Sequence, residues 1–363
     1  MKTLIVTMNG NNNYGNRLQN YALQEYLHKI GSKEVDSLSI KSVKDESIII
    51  SFIRAIKYSV FKKQKKDERF FKFKEFNKRY IKNTKKAIHF YSNLTPLNDK
   101  YDFFIVGSDQ VWNHKMTHNF NIYFLENVDD YKKVSYSASF GTDYYDKKYI
   151  DKYKEDLDKF KMISVREDAG KKIVQNIINR KDVEVLIDPT MLLTADEWDK
   201  VSNRPKQLDK IKKEKYILNY FLGNLSDSRK KEIEKIAKKY DCHIINILDK
   251  KDAFYTCGPS EFLYLEKHAF LICTDSFHSS VFAILYNRPF VIFDREQKEI
   301  ENMNSRIDTL IDKFKLKNRR YNGKNITEDN LNHDYTEAYK ILEKERKKSD
   351  EFLRKALDIK EGE

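Results

Sequence analysis

Residues 269–293 read AFLICTDSFHSSVFAILYNRPFVIF, and this stretch decides the fold. Ala269–Cys273 is an unbroken apolar run of strand length. Thr274, Asp275 and Ser276 interrupt it with polar side chains. Phe277–Tyr286 then predicts a helix, and Pro289–Phe293 a second apolar strand. Strand, helix and strand joined by short connections make a βαβ unit, the building block of a parallel sheet covered by helices.

The same alternation continues upstream. Tyr216–Phe221 predicts a strand, Ser228–Tyr240 a charged helix, Cys242–Ile247 a strand and Ser260–Lys267 a helix. The N-terminal half opens in the same way. Thr3–Thr7 is a buried strand, Asn9–Asn16 a Gly/Asn-rich loop, and Arg17–Ile30 a helix with Leu18, Ala22, Leu23, Tyr26 and Leu27 on one face. Further strands are expected at Phe103–Val106, Lys133–Ser139, Met162–Val165 and Glu184–Ile187. Helices are expected at Tyr149–Phe160 and Glu167–Ile178. The reading is an α/β protein of two Rossmann-like domains, residues 1–187 and 188–334, facing each other across a cleft, with a C-terminal helix in 335–363. The carboxyl ends of the strands should line that cleft.

At 363 residues, 40% hydrophobic and 34% charged, the chain can bury two cores and keep a solvated surface. No apolar stretch approaches the roughly 20 residues of a spanning helix, and the first residues do not form a secretory leader. An intracellular protein is expected, with peripheral contact to the inner face of a membrane as the extension of that reading. Cys242, Cys257 and Cys273 match neither a zinc site nor a disulfide framework, and no spacing calls for a metal or cofactor.

The net charge of +13 is concentrated. From Arg54 to Lys86, fourteen Lys or Arg stand against three acids, inside a basic aromatic segment, 48–86, that reads as helical. Ile48, Phe52, Ile53, Ile56, Val60 and Phe61 alternate with cations there, and Phe70, Phe71, Phe73 and Phe76 follow among further lysines. Such a segment can lie on an anionic bilayer, or bury its aromatics and leave the lysines in water. Nucleic acid is not expected as a partner, because no recognised binding motif accompanies the charge.

The polar residues between Cys273 and Phe277 are the strongest chemical signal. Asp275 or Ser276 can cap the following helix, whose N–H groups and dipole favour an anion. His278 falls in the first turn, where it can serve as an acid or base; a capped helix with a structural histidine fits the same residues. Asp109 follows Gly107-Ser108 at a strand end, as a proton acceptor or as an Asx-type turn. Arg166 ends another apolar run, as an anion fork or as the ion-pair partner of Glu167 or Asp168. Trp112 can stack on a sugar ring or pack in the core.

Several short motifs resemble those of the polysaccharide pyruvyl transferase family, in order, from about residue 3 to about residue 315. They are Asn13-Tyr14-Gly15-Asn16-Arg17, Gly107-Ser108-Asp109-Gln110-Val111-Trp112-Asn113, Ser137-Ala138-Ser139-Phe140-Gly141 and Ser164-Val165-Arg166-Glu167. Asp188-Pro189-Thr190, Gly258-Pro259-Ser260-Glu261, Thr274-Asp275-Ser276-Phe277-His278, Asn287-Arg288-Pro289 and Met303-Asn304-Ser305-Arg306 complete the set. The resemblance implies a GT-B-like fold and transfer of a carboxyethylidene unit from phosphoenolpyruvate to two hydroxyls of one sugar in a surface-glycan precursor carried on a lipid.

On that resemblance, His278 is the functional histidine and Arg166 the functional arginine; the chemistry it implies adds Asp109 or Asp275 as proton acceptor. Arg166, Ser276, Phe277, Ser279 and Arg306 fall on the donor side. Asn13, Tyr14, Asn16, Arg17, Gln110 and Trp112 fall on the acceptor side. Two departures stand out: some members carry arginine where this chain has Ser276, and many carry glycine where it has Ser279. The alternative is a nucleotide-sugar-dependent glycosyltransferase on the same scaffold.

Overall fold

In the computed structural model, residues 1–8, 12–41, 65–89, 92–117, 121–213, 215–296, 305–332 and 334–360 are described. Strands β1 (Lys2–Val6), β2 (Glu34–Ser37), β5 (Phe103–Asp109), β6 (Lys133–Ala138), β7 (Met162–Val165) and β8 (Glu184–Val185) form one sheet, in the order β2-β1-β5-β6-β7-β8. Every pairing in it is parallel. A small parallel pair, β3 (Ile40–Lys41) with β4 (Ile88–His89), extends one side. The second sheet contains β9 (Lys215–Tyr220), β10 (Cys242–Asn246), β11 (Leu271–Thr274) and β12 (Phe290–Ile292), in the order β10-β9-β11-β12, again parallel throughout.

The strand orders matter more than the strand count. In the first sheet the chain runs outward from β1 on both sides, to β2 and to β5. In the second it runs outward from β9, to β10 and to β11. Each reversal leaves a crevice at the carboxyl ends of two adjacent strands, because their connections depart to opposite faces. Helices follow the strands: α1 (Tyr14–Lys29), α2 (Lys65–Tyr80), α3 (Ile150–Asp158), α4 (Asp168–Ile178), α5 (Asp227–Lys239), α6 (Pro259–His268), α7 (Phe277–Leu285), α8 (Ser305–Lys313) and α9 (Thr336–Ala356). No described helix is long and apolar enough to cross a membrane.

One large apolar cluster runs through both halves. Tyr14 of α1 stacks on Phe262 of α6 at 4.4 Å and tilts against Phe73 of α2 at 5.0 Å. Arg69 of α2 donates to the Tyr14 hydroxyl at 2.6 Å and to the carbonyl of Tyr255 at 2.9 Å. Lys72 pairs with Glu261 at 2.6 Å. Helix α9 ties the same seam from the other side: Arg346 donates to the carbonyls of Met191 and Leu193, and Tyr339 to that of Ile284.

Helix α2 thus faces inward with its aromatics. Phe73 and Phe76 are buried in the core and not available to a headgroup layer, while Phe70 and Phe71 are half-buried. Each buried phenylalanine contributes about 1.5–3 kcal/mol, enough to hold α2 in place. The apolar residues Ile48, Phe52, Ile53, Ile56, Val60 and Phe61 lie outside the described residues.

Candidate functional site

The two reversals face each other, and a cavity of about 170 Å³ opens between them. The first half contributes Asn13 and Asn16 from the start of α1, and Asp109 and Gln110 from the end of β5. The second contributes Ser276, Phe277 and His278 from the start of α7, with Arg295 after β12 and Arg306 on α8.

Helix α7 begins at Ser276, whose backbone is extended and whose side chain makes no capping hydrogen bond. Its first-turn N–H groups and the positive end of its dipole are left to whatever occupies the cavity. Two residues on, the His278 ring lies against Gly15 at the start of α1. A Cβ at Gly15 would come within 2.1 Å of His278 Nδ1, so only glycine admits the ring there. His278 Nε2 is sealed from solvent, has no hydrogen-bond partner among the described residues, and stands 3.6 Å from Asp188 Oδ2. That distance is within ion-pair range and beyond a hydrogen bond.

Asp188 is the hub beneath the histidine. One carboxylate oxygen accepts from the backbone and hydroxyl of Thr190, at 3.0 and 2.7 Å. The other accepts from Arg166 at 2.7 Å and from Ser108 Oγ at 2.9 Å. Burial alone would raise its pKa; the charges of His278 and Arg166 outweigh burial and hold the carboxyl far below its usual range. Arg166 is itself fully enclosed, 4.6 Å from the Phe277 ring and 3.4 Å from Asp109 Oδ1. Burial opposes its charge, but Asp188, Asp109 and Glu167 overcome that and raise its pKa. Asp109 sits in a left-handed conformation, φ 68°, and its second oxygen accepts from Asn16 Nδ2. A chain of contacts thus joins α1, β5, Arg166, Asp188 and His278.

Arg306 lines the cavity at 7% exposure and makes no hydrogen bond or ion pair among the described residues. Burial, and then repulsion from Arg166, push its pKa down to about 10. A buried cation lacking a partner costs free energy until an anion arrives. Arg295 stands nearby and pairs through Nε with Asp275 at 3.2 Å. Among the described residues no cluster of His, Cys, Asp and Glu suits a metal ion.

Residues 13–297 match the sequence profile of the polysaccharide pyruvyl transferases. The chain belongs to this family. No curated protein matches it in sequence. Its fold is GT-B-like, similar to UDP-GlcNAc 2-epimerases of known structure. The enzyme from Neisseria meningitidis superposes with a TM-score of 0.51 at 13% identity, covering 99% of this chain and 100% of that one. The enzyme from Methanocaldococcus jannaschii gives 0.50 at 16% identity, with the same coverage.

The pyruvyl transferase motifs divide into those at the cavity and those behind it. Asn13, Asn16, Asp109, Gln110, Ser276, Phe277, His278 and Arg306 line it. The described lining lacks Tyr14, Trp112, Arg17, Ser279, Arg166 and Asp275. Tyr14 is wholly buried, its hydroxyl bonded to the carbonyl of Cys257 at 2.7 Å, so it joins the two halves and has no face for an acceptor. Trp112 is likewise core, donating to the carbonyl of Tyr123 and packed on Phe140. Arg17 is buried on α1, and burial pushes its pKa down to about 10.

Ser279 points to the back of α7 and donates to Glu266 at 2.6 Å. Asp275 accepts from the backbone N–H groups of Leu222 and Gly223, both at 2.7 Å, and from Arg295. Both of its oxygens are thereby engaged, and they tie the β9 loop and Arg295 to the start of α7. Neither it nor Ser276 caps α7 through its side chain. Sequence reasoning missed Arg295, Gly15 and the part played by Asp188. Gly15 and Asp188 each lie within a quoted motif, whereas Arg295 carried no such signal.

Proposed function

We propose that the chain transfers the carboxyethylidene unit of phosphoenolpyruvate to two hydroxyls of one sugar, releasing phosphate and leaving a ketal. The observation that carries this reading is one cavity holding an unpartnered buried Arg306, an uncapped helix N-terminus and His278. Phosphoenolpyruvate bears a phosphate and a carboxylate, and Arg306, Arg295 and the first turn of α7 supply matching cations and N–H donors. His278 protonates C3 of the donor, and positive charge develops at C2. A first sugar hydroxyl bonds to C2 and gives its proton to Asp109. The second hydroxyl then bonds to C2 as the C–O bond to phosphate breaks, its proton leaving with the phosphate.

Because Nε2 of His278 is enclosed against Asp188, the proton travels through Nδ1. Asp188 steadies the ring in its charged form, a task Arg166 supports by orienting Asp188. Asn13, Asn16 and Gln110 are proposed to hold acceptor hydroxyls. Removal of His278 tests the core of the reading: His278→Ala should fold normally and lose about 10²–10⁴-fold in turnover. Near wild-type formation of pyruvylated glycoside, read by mass, would rule out the histidine.

The acceptor is proposed to be a lipid-linked glycan precursor. The basic segment 48–86 would bring the enzyme to the anionic surface carrying it. Sedimentation with anionic vesicles at low salt, weakened by added salt and by changing Lys62, Lys63, Lys65 and Lys66 to Glu, is the expected result. Failure to bind anionic vesicles at low salt removes the docking role and leaves the chemistry untouched.

A further inference from the structure

A second and larger cavity, of about 670 Å³, lies at the carboxyl ends of β9 and β10, bordered by α5. The proposed reaction does not use it. Its polar wall includes three amides, Asn219, Asn224 and Asn246. Asn219 is 6% exposed and donates through Nδ2 to Asn246 Oδ1 at 2.9 Å, yet its own Oδ1 has no partner among the described residues. An amide oxygen left bare in a polar recess calls for a hydroxyl or N–H from a ligand. The floor is apolar, with Ile233, Ile244 and Leu248.

Charge narrows the ligand. Glu234 and Asp249 line the recess, and the ammonium of Lys230 is already 3.0 Å from Asp227. Two carboxylates against one lysine leave the recess without a net positive charge to draw an anion. Amides and carboxylates above an apolar floor suit a neutral ring with hydroxyls on its edges and C–H groups on its face.

Position adds the second argument. Leu222, 49% exposed, lines the reaction cavity, and its neighbours Phe221 and Gly223 line the amide recess. Asp275 holds the Leu222–Gly223 backbone, so this short strip is a fixed partition between the two cavities. We infer that the recess is a subsite for a neutral sugar unit of the acceptor, one or more residues away from the ring that receives the ketal. The inference rests on the proposed reaction only for calling this sugar part of an acceptor.

Saturation-transfer NMR of the full chain with lactose, maltose and cellobiose, and with uridine as a competing class, tests it. At least one disaccharide should bind at millimolar concentration, and uridine should not. Binding should weaken about tenfold in Asn246→Ala, which removes part of the amide wall, and vanish in Leu248→Trp, which fills the floor of the recess. His278→Ala should bind the disaccharide as wild type does, so loss of the reaction and loss of the subsite are told apart. If Asn246→Ala does not fold, Leu248→Trp carries the comparison. Absence of binding by all three sugars, binding unchanged in the folded variants, or uridine binding that the same substitutions abolish would each overturn the assignment.

Discussion

His278 owes its place to a residue in the other half of the molecule. The imidazole lies where a side chain at Gly15 would begin, with Nδ1 2.1 Å from the position of a Cβ. Alanine is the better helix former by about 1 kcal/mol, so Gly15→Ala does not weaken α1 on its own account. It displaces the ring from its seat beside Asp188. The variant should keep its helical circular dichroism and lose roughly 100-fold in turnover, the scale of a misplaced proton donor. Normal turnover would show that the ring's seat against Gly15 is irrelevant to catalysis. At this scale the sequence was partly legible. His278, Asp109, Asn16 and Arg306 carry signals in the local pattern, being polar residues next to apolar strands or within short motifs. The seat at Gly15, the ion pair of Arg295 with Asp275 and the hub at Asp188 join residues distant in the chain, and no local periodicity encodes such pairs. Asp275 shows the cost: its position suggested a base or a cap, and its bonds to the backbone of the β9 loop were not foreseen.

Helix α7 is held from behind by α6. Glu266 of α6 is completely buried; among the described residues it accepts a hydrogen bond from Ser279, and its other oxygen has none. Burial raises its pKa well above the usual carboxylate range. The folded form therefore holds a proton that the unfolded chain releases above about pH 4.3. This contribution to stability is fully present below that pH and declines as pH rises toward the folded value. Glu266→Gln keeps an acceptor for Ser279 and removes the titration. Its melting temperature should gain on wild type as pH rises from 5 to 8; a gap that stays constant across this range would show that Glu266 is ionised in the fold. The elements themselves were readable where apolar runs are long: β1, β5, β9, β11 and the helices between them fall where the pattern puts them. The pair β3–β4 was missed because two residues per strand carry no period. Helix α2 was seen as a basic aromatic face, yet Phe73 and Phe76 are core; only the tertiary packing of Tyr14 and Tyr21 against them decides which side turns inward.

The described residues form two large sheets and a small strand pair, and the largest of their three apolar clusters spans both halves, closed on one side by α2 and on the other by α9. Such a molecule should unfold as a unit, and a ligand bound between its halves should stabilise all of it. The cavity sits at that junction and contains a cation that burial leaves expensive. A dianionic donor removes this cost, and a net charge of +13 favours its approach from solution. A neutral sugar offers no such compensation, and a nucleotide sugar on this scaffold would have to place its diphosphate on the same arginines. Thermal unfolding separates the two donors. Phosphoenolpyruvate at 100 times its dissociation constant should add about 2.7 kcal/mol, a rise of several degrees in a single transition. Arg306→Ala should remove most of that shift, and a uridine-diphosphate sugar should produce none. A shift from the nucleotide sugar without one from phosphoenolpyruvate would identify a glycosyltransferase. A shift from phosphoenolpyruvate that survives Arg306→Ala would keep the donor and move its anion site onto Arg295 and the N-terminus of α7.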